Sequence, residues 1–164
     1  GHLASYGIEP RFYDPALGAA VGDRMDSRTR LVWVESPGST TMEIQDVPAI
    51  AEAAHERGAV VGCDNSWATP LLFKPLAHGA DLSIEAVTKY IGGHSDLLMG
   101  AITARDPAVL RPIQETVRFL GIGVSPDDCS LALRGIQTLA VRLRHSGQVA
   151  LEIASALALR PEVE

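Results

Sequence analysis

Three side chains in this sequence have the types and positions to share one piece of chemistry: an amine at Lys89, a carboxylate at Asp64 and a hydroxyl at Thr88. Lysine is scarce. Of 14 basic residues only Lys74 and Lys89 are lysines, so arginine carries most of the surface charge. Lys89 lies within residues 81–100, DLSIEAVTKYIGGHSDLLMG, after a run with β-branched residues and just before Gly92-Gly93. A strand that ends on an amine before two glycines sends the amine off the sheet edge and lets the backbone turn. An isolated amine there is a solvated charge. Held beside an acid and a hydroxyl, and stripped of its proton by burial against a ligand, it becomes a nucleophile for a carbonyl and a base for a C–H bond.

The elements that must position these groups follow from the apolar pattern. Residues 59–64 (AVVGCD) are a short apolar strand closed by Asp64, and residues 82–88 (LSIEAVT) are a second, closed by Thr88. The connection between them is long enough for a crossover, so both run parallel. Their C-terminal ends then open at one edge, where open α/β sheets place ligands. Upstream, residues 31–35 (LVWVE) are apolar on both faces, as a buried parallel strand is. Asp46 caps the helix that follows, Pro48 sits in its first turn and Gly58 ends it. The unit from Leu31 to Asp64 is therefore βαβ, with a right-handed crossover. Residues 98–104 form a fourth strand, for which an antiparallel direction stays open.

The flanks read less sharply. Residues 2–6 end a helix at Gly7, 11–13 are a brief strand, and 16–25 are a helix weakened by Gly18 and Gly22. Asp106-Pro107 opens a helix to about Leu120, and Gly121 and Gly123 break it. Asp127 and Asp128 cap the next helix, whose apolar face is Leu131, Leu133, Ile136 and Leu139. Residues 142–159 are a further long helix with Val149, Ile153, Ala156 and Leu157 inward. Arg142 and Arg144 read as a solvated face.

Together, an acid, a hydroxyl and an amine at one strand edge suit pyridoxal phosphate. The amine condenses with the aldehyde, the carboxylate keeps the ring nitrogen protonated, and the hydroxyl binds the phosphate. Residues 35–43 (ESPGSTTME), 64–69 (DNSWAT), 72–74 (LFK) and 83–96 (SIEAVTKYIGGHSD) resemble, in order and spacing, the Cys/Met-metabolism family of pyridoxal-phosphate enzymes. Within it they are most similar to the bacterial cystathionine β-lyases, and the resemblance extends along nearly the whole chain. It implies a three-layer α/β domain of the aspartate-aminotransferase-like kind with a mostly parallel sheet. Lys89 is then the catalytic residue, and Lys89, Asp64 and Thr88 hold pyridoxal 5'-phosphate.

The implied reaction is β-elimination from L-cystathionine to homocysteine, pyruvate and ammonia. The implied setting is a cytoplasmic homodimer or homotetramer. Residues 1–141 would be part of the large cofactor domain and 142–164 a linker helix toward a C-terminal domain outside this sequence. Relatives in the family are more than twice this length, so the chain reads as an internal fragment, with further phosphate, stacking and substrate-carboxylate groups outside it. Two departures bear on the activity. Many relatives have serine where this chain has Ala86, and many γ-acting relatives have asparagine in the stretch that here begins at Gly38. The second departure, with Trp67, favours β-lyase chemistry, although Trp67 serves equally as packing. A γ-synthase, a γ-lyase, or a catalytically incompetent fragment of such an enzyme are the alternatives.

Composition narrows the classes further. With 164 residues, 46% of them apolar, the chain can bury one core. A net charge of −6, with no Lys/Arg cluster, argues against nucleic acid. No apolar run reaches the roughly 20 residues of a membrane span. Cys63 and Cys129 make no disulfide framework, and Cys63 reads as a core residue in a reducing compartment. Five histidines show no metal spacing, and His94-Ser95-Asp96 are too close in sequence to converge as a hydrolase triad.

Overall fold

A computed structural model describes residues 2–163. Its centre is a four-stranded sheet in the order β1 (Leu31–Glu35), β2 (Val60–Asp64), β3 (Leu82–Glu85), β4 (Ala101–Ala104). The first three strands are parallel, and β4 is antiparallel to β3. Glu35 pairs with Asp64 and Asp64 with Ile84, so the carboxyl ends of β1 to β3 lie level at one edge.

Helix α2 (Val47–His55) makes the crossover from β1 to β2. The Asp46 carboxylate accepts from the Ala49 N–H at its start, Pro48 occupies its first turn, and Gly58 leaves it at φ 72°. Its buried face, Val47, Ile50, Ala51, Ala53 and Ala54, packs on Val32, Val34, Val61 and Cys63 of the sheet. The alanines let helix and sheet approach closely, and each large side chain so buried is worth about 1.5–3 kcal/mol.

The opposite sheet face is open. Leu31 and Trp33 are 49% and 47% exposed while Val32 and Val34 are buried, so β1 is an edge strand covered on one face only. The double-sided burial expected of it does not occur in this chain. Residues 11–13 form no strand either. Instead the Tyr13 hydroxyl donates to the Trp33 carbonyl at 3.0 Å, and it lies 2.8 Å from Gln45 Oε1, so a side chain anchors this coil to β1. The expected helix at 16–25 is a 3-10 segment, Pro15–Arg24, interrupted where Gly18 takes φ 52°.

Helix α4 (Pro107–Phe119) is capped by Asp106, as its sequence indicates. The two helices expected beyond it are one, α5 (Pro126–Leu157), of 32 residues. Its cap is Ser125, whose hydroxyl accepts from the Asp128 N–H, while Asp127 and Asp128 sit in the first turn and complement the helix dipole. Only the first half of α5 is packed. Leu139 is buried, and Leu131, Ala132 and Leu143 lie around it against Val87, Ile91 and Leu97. Leu133, Ile136, Val149, Ile153 and Leu157 face outward. Short helices α1 (His2–Ser5) and α3 (Thr69–Leu72) complete the helical content.

Candidate active site

The ends of β2 and β3 are laced together by three short bonds. The Asn65 N–H donates to the Ile84 carbonyl at 2.7 Å, the Ala86 N–H to Ser66 Oγ at 2.7 Å, and the Ser66 N–H to Asp64 Oδ1 at 2.9 Å. Because Ser66 takes the Ala86 N–H, β3 leaves the ladder at Glu85, short of the strand end expected at Thr88. The chain from Ala86 to Gly93 becomes a compact turn. Lys89 donates its N–H to the Ala86 carbonyl, Gly92 to Val87 and Gly93 to Lys89, at 2.7–2.9 Å.

This turn is held from two sides. On one, Thr88 Oγ1 donates to the Met99 carbonyl at 3.1 Å and accepts the Met99 N–H at 2.9 Å. The expected phosphate hydroxyl thus has its single O–H engaged with the backbone leading into β4. On the other side stands α5. Arg142, expected on a solvated face, turns inward and donates to the carbonyls of Tyr90 and Ile91.

The exposed Lys89 side chain opens on a cavity of about 550 Å³ that Trp67, Thr88, Tyr90, Arg142 and His145 also line. Trp67 packs on Tyr90 with ring centroids 6.5 Å apart, tilted by 44°. Asp64 is half-buried at the end of β2 and is not among the lining residues. Asp64 and Lys89 therefore share a sheet edge and are linked through Ser66 and Ala86, without direct contact. Beneath them burial dominates. It pushes the Cys63 thiol up to about 12, helped by the charges of Asp64 and Glu85, and it pushes Tyr13 up to about 12. Glu85, 4% exposed, accepts the Ser83 hydroxyl at 2.5 Å.

Sequence reasoning passed over Ser66, Tyr90 and Arg142. One signal was available for the last: Gly135 lies two helical turns before Arg142 on the same face, a small residue and a long cation where a helix meets backbone.

An amine leaving the carboxyl edge of a mostly parallel sheet, beside a strand-end carboxylate, defines a pyridoxal-phosphate-dependent enzyme of aminotransferase-like fold. The sequence pattern of the family described as Cys/Met metabolism PLP-dependent enzyme matches residues 2–164, and the chain belongs to that family. It is 40% identical over 161 residues to a cystathionine β-lyase of Bordetella avium, covering 98% of this chain and 40% of that protein. It is 44% identical over 152 residues to an L-alanine/L-glutamate racemase of Wolbachia pipientis wMel, covering 93% of this chain and 37% of that protein. Its fold superposes with a TM-score of 0.93, at 30% identity, on a crystal structure of cystathionine γ-lyase from Lactobacillus plantarum complexed with L-serine. That match covers 97% of this chain and 42% of the other. The chain spans between 37% and 48% of the length of the curated relatives it matches most strongly.

The residues present fit the family's cofactor. The Lys89 amine enters none of the ion pairs among the described residues. Asp64 has one oxygen engaged, by a backbone N–H, and its other oxygen meets no donor among the described residues. Trp67 Nε1, on the cavity wall, is a buried donor with no acceptor among the described residues, which is costly unless something else supplies one. No cluster of three or more His, Cys, Asp or Glu side chains suited to a metal occurs among the described residues. No helix described is long and apolar enough to cross a membrane.

Proposed function

We propose that the protein carrying this chain is a carbon–sulfur β-lyase that converts L-cystathionine and water to homocysteine, pyruvate and ammonia, with Lys89 as its catalytic residue. The carrying observation is the Lys89 amine, free of ion pairs, on a turn tied to both β4 and α5 at the carboxyl edge of the sheet. Bound there, pyridoxal phosphate supplies an aldehyde for that amine and an electron-withdrawing ring for bond breaking at the substrate α-carbon. Lys89 Nζ holds the cofactor and, once released, takes the α-proton as general base. Asp64 holds a proton on the ring nitrogen through its unengaged oxygen. Thr88 contributes at the phosphate end of the site, and the Met99 backbone bonds of its hydroxyl fix the turn that bears Lys89. On this reading the protein works in the cytoplasm as a homodimer or homotetramer.

Borohydride reduction of the loaded full-length protein, followed by peptide mapping, should leave a pyridoxyl group on Lys89. A label on Lys74 instead overturns the assignment. The racemase relative supports a second reading, because proton removal from an α-carbon begins both reactions and uses the same lysine. Product analysis separates them. Pyruvate with homocysteine marks the β-lyase, 2-oxobutyrate with cysteine a γ-lyase, and D-alanine from L-alanine without pyruvate a racemase.

A further inference from the structure

We propose that Arg142 is a positioning residue for Lys89: its guanidinium, projected from α5, grips the backbone just after the lysine and fixes where the amine stands. This rests on the proposed role of Lys89. The Tyr90 and Ile91 carbonyls immediately follow the lysine, and no backbone N–H among the described residues takes either of them. Arg142 does. Nη1 donates to Tyr90 O at 2.7 Å, and Nη2 to Ile91 O at 3.3 Å.

The fork is itself fixed by its own helix. Nη2 also donates to the Gly135 carbonyl at 2.8 Å, and Nε donates to Thr138 Oγ1 at 3.0 Å. These four bonds leave one guanidinium N–H for anything in the cavity. The surroundings are shaped to admit this contact. A Cβ on Gly135 would collide with the Ile91 and Gly92 carbonyls, and a Cβ on Gly93 would collide with the guanidinium. Farther along the same loop Asp96 pairs with Arg134, one helical turn below Thr138, so the loop is tied to α5 at both ends.

A planar fork reaching two successive carbonyls cannot be copied by an ammonium, which is a point donor on a flexible stem. Arg142→Lys keeps the charge and most of the packing stem and loses the fork. Positioning, not substrate binding, is then the property removed, and a misplacement near 1 Å costs up to about 10²-fold in rate.

The test uses the full-length protein with two variants, Arg142→Lys and Gly93→Ala, the second pushing the fork away from a position outside α5. In each, hydrogen exchange of the cofactor-free protein should quicken at the Gly92 and Gly93 amides, whose acceptors are Val87 O and Lys89 O, and stay unchanged at Val61 and Cys63. In the loaded protein kcat should fall about 10- to 10²-fold while KM stays within about twofold. A turn that stays protected in both variants overturns the proposal. So does a loosened turn with unchanged kcat, or a raised KM with kcat held, which would make Arg142 a substrate contact. Borohydride labelling of the wild-type protein tests the underlying reading separately, because exchange at Gly92 and Gly93 is measured without cofactor.

Discussion

Asp64 separates charge from shape at the proposed site. Asp64→Asn keeps the size of the side chain and an oxygen for the Ser66 N–H, yet cannot hold a proton on a ring nitrogen. Elimination by the full-length protein should fall roughly 10²–10³-fold with an unchanged melting midpoint, the usual order for a preorganised charge. Turnover near wild type would assign the task to another acid. The two thiols behave oppositely. Cys129 is exposed and should alkylate quickly at pH 8, while Cys63, buried and held up to about 12, should react only on unfolding. The same burial sets an alkaline limit. Cys63 and Tyr13 are both raised, from 9.0 and 10.0 to about 12, so the unfolded chain releases these protons first. Their contribution to stability is whole below about pH 9 and declines as pH rises toward 12. Urea midpoints at pH 8 and 11 should show this, and Cys63→Ala with Tyr13→Phe should flatten it.

At the scale of elements, α2 offers the simplest test. Asp46→Ala removes the acceptor of the Ala49 N–H and should cost about 1 kcal/mol, read from a denaturation curve. That helix was legible from its residues because every signal is local: cap, proline, apolar face and terminal glycine. The parallel strands were legible for a related reason, since short apolar runs separated by a helix allow few topologies. Distant partners were not. Nothing local says that Ser66 takes the Ala86 N–H and ends β3 early, or that Tyr13 replaces a strand by one hydroxyl. The inward turn of Arg142 was hidden by the same limit, because the carbonyls that draw it in lie about 50 residues away. Lys89, Asp64 and Thr88 were found because residue type and spacing mark them. Their geometry, with Thr88 spent on Met99 and no contact between Asp64 and Lys89, belongs to the fold.

The molecule as a whole presents more apolar surface than a monomer keeps in water. Leu31, Trp33 and Ile102 lie open on the sheet, and Phe119, Leu151 and Leu159 are each more than two-thirds exposed on or beside the helices. The 164-residue chain alone should therefore self-associate, and sedimentation at rising concentration should show mass growth and no sustained pyruvate release. A stable monomer with turnover would contradict this. The half-covered sheet also has an optical consequence. The chain has two indoles, Trp33 on the open face and Trp67 on the wall of the Lys89 cavity. Trp33→Phe should leave a signal from Trp67 that pyridoxal phosphate quenches as it enters. Trp67→Phe should leave one that iodide quenches in the isolated chain, and that moves to the blue in the full-length protein wherever further sequence covers the sheet.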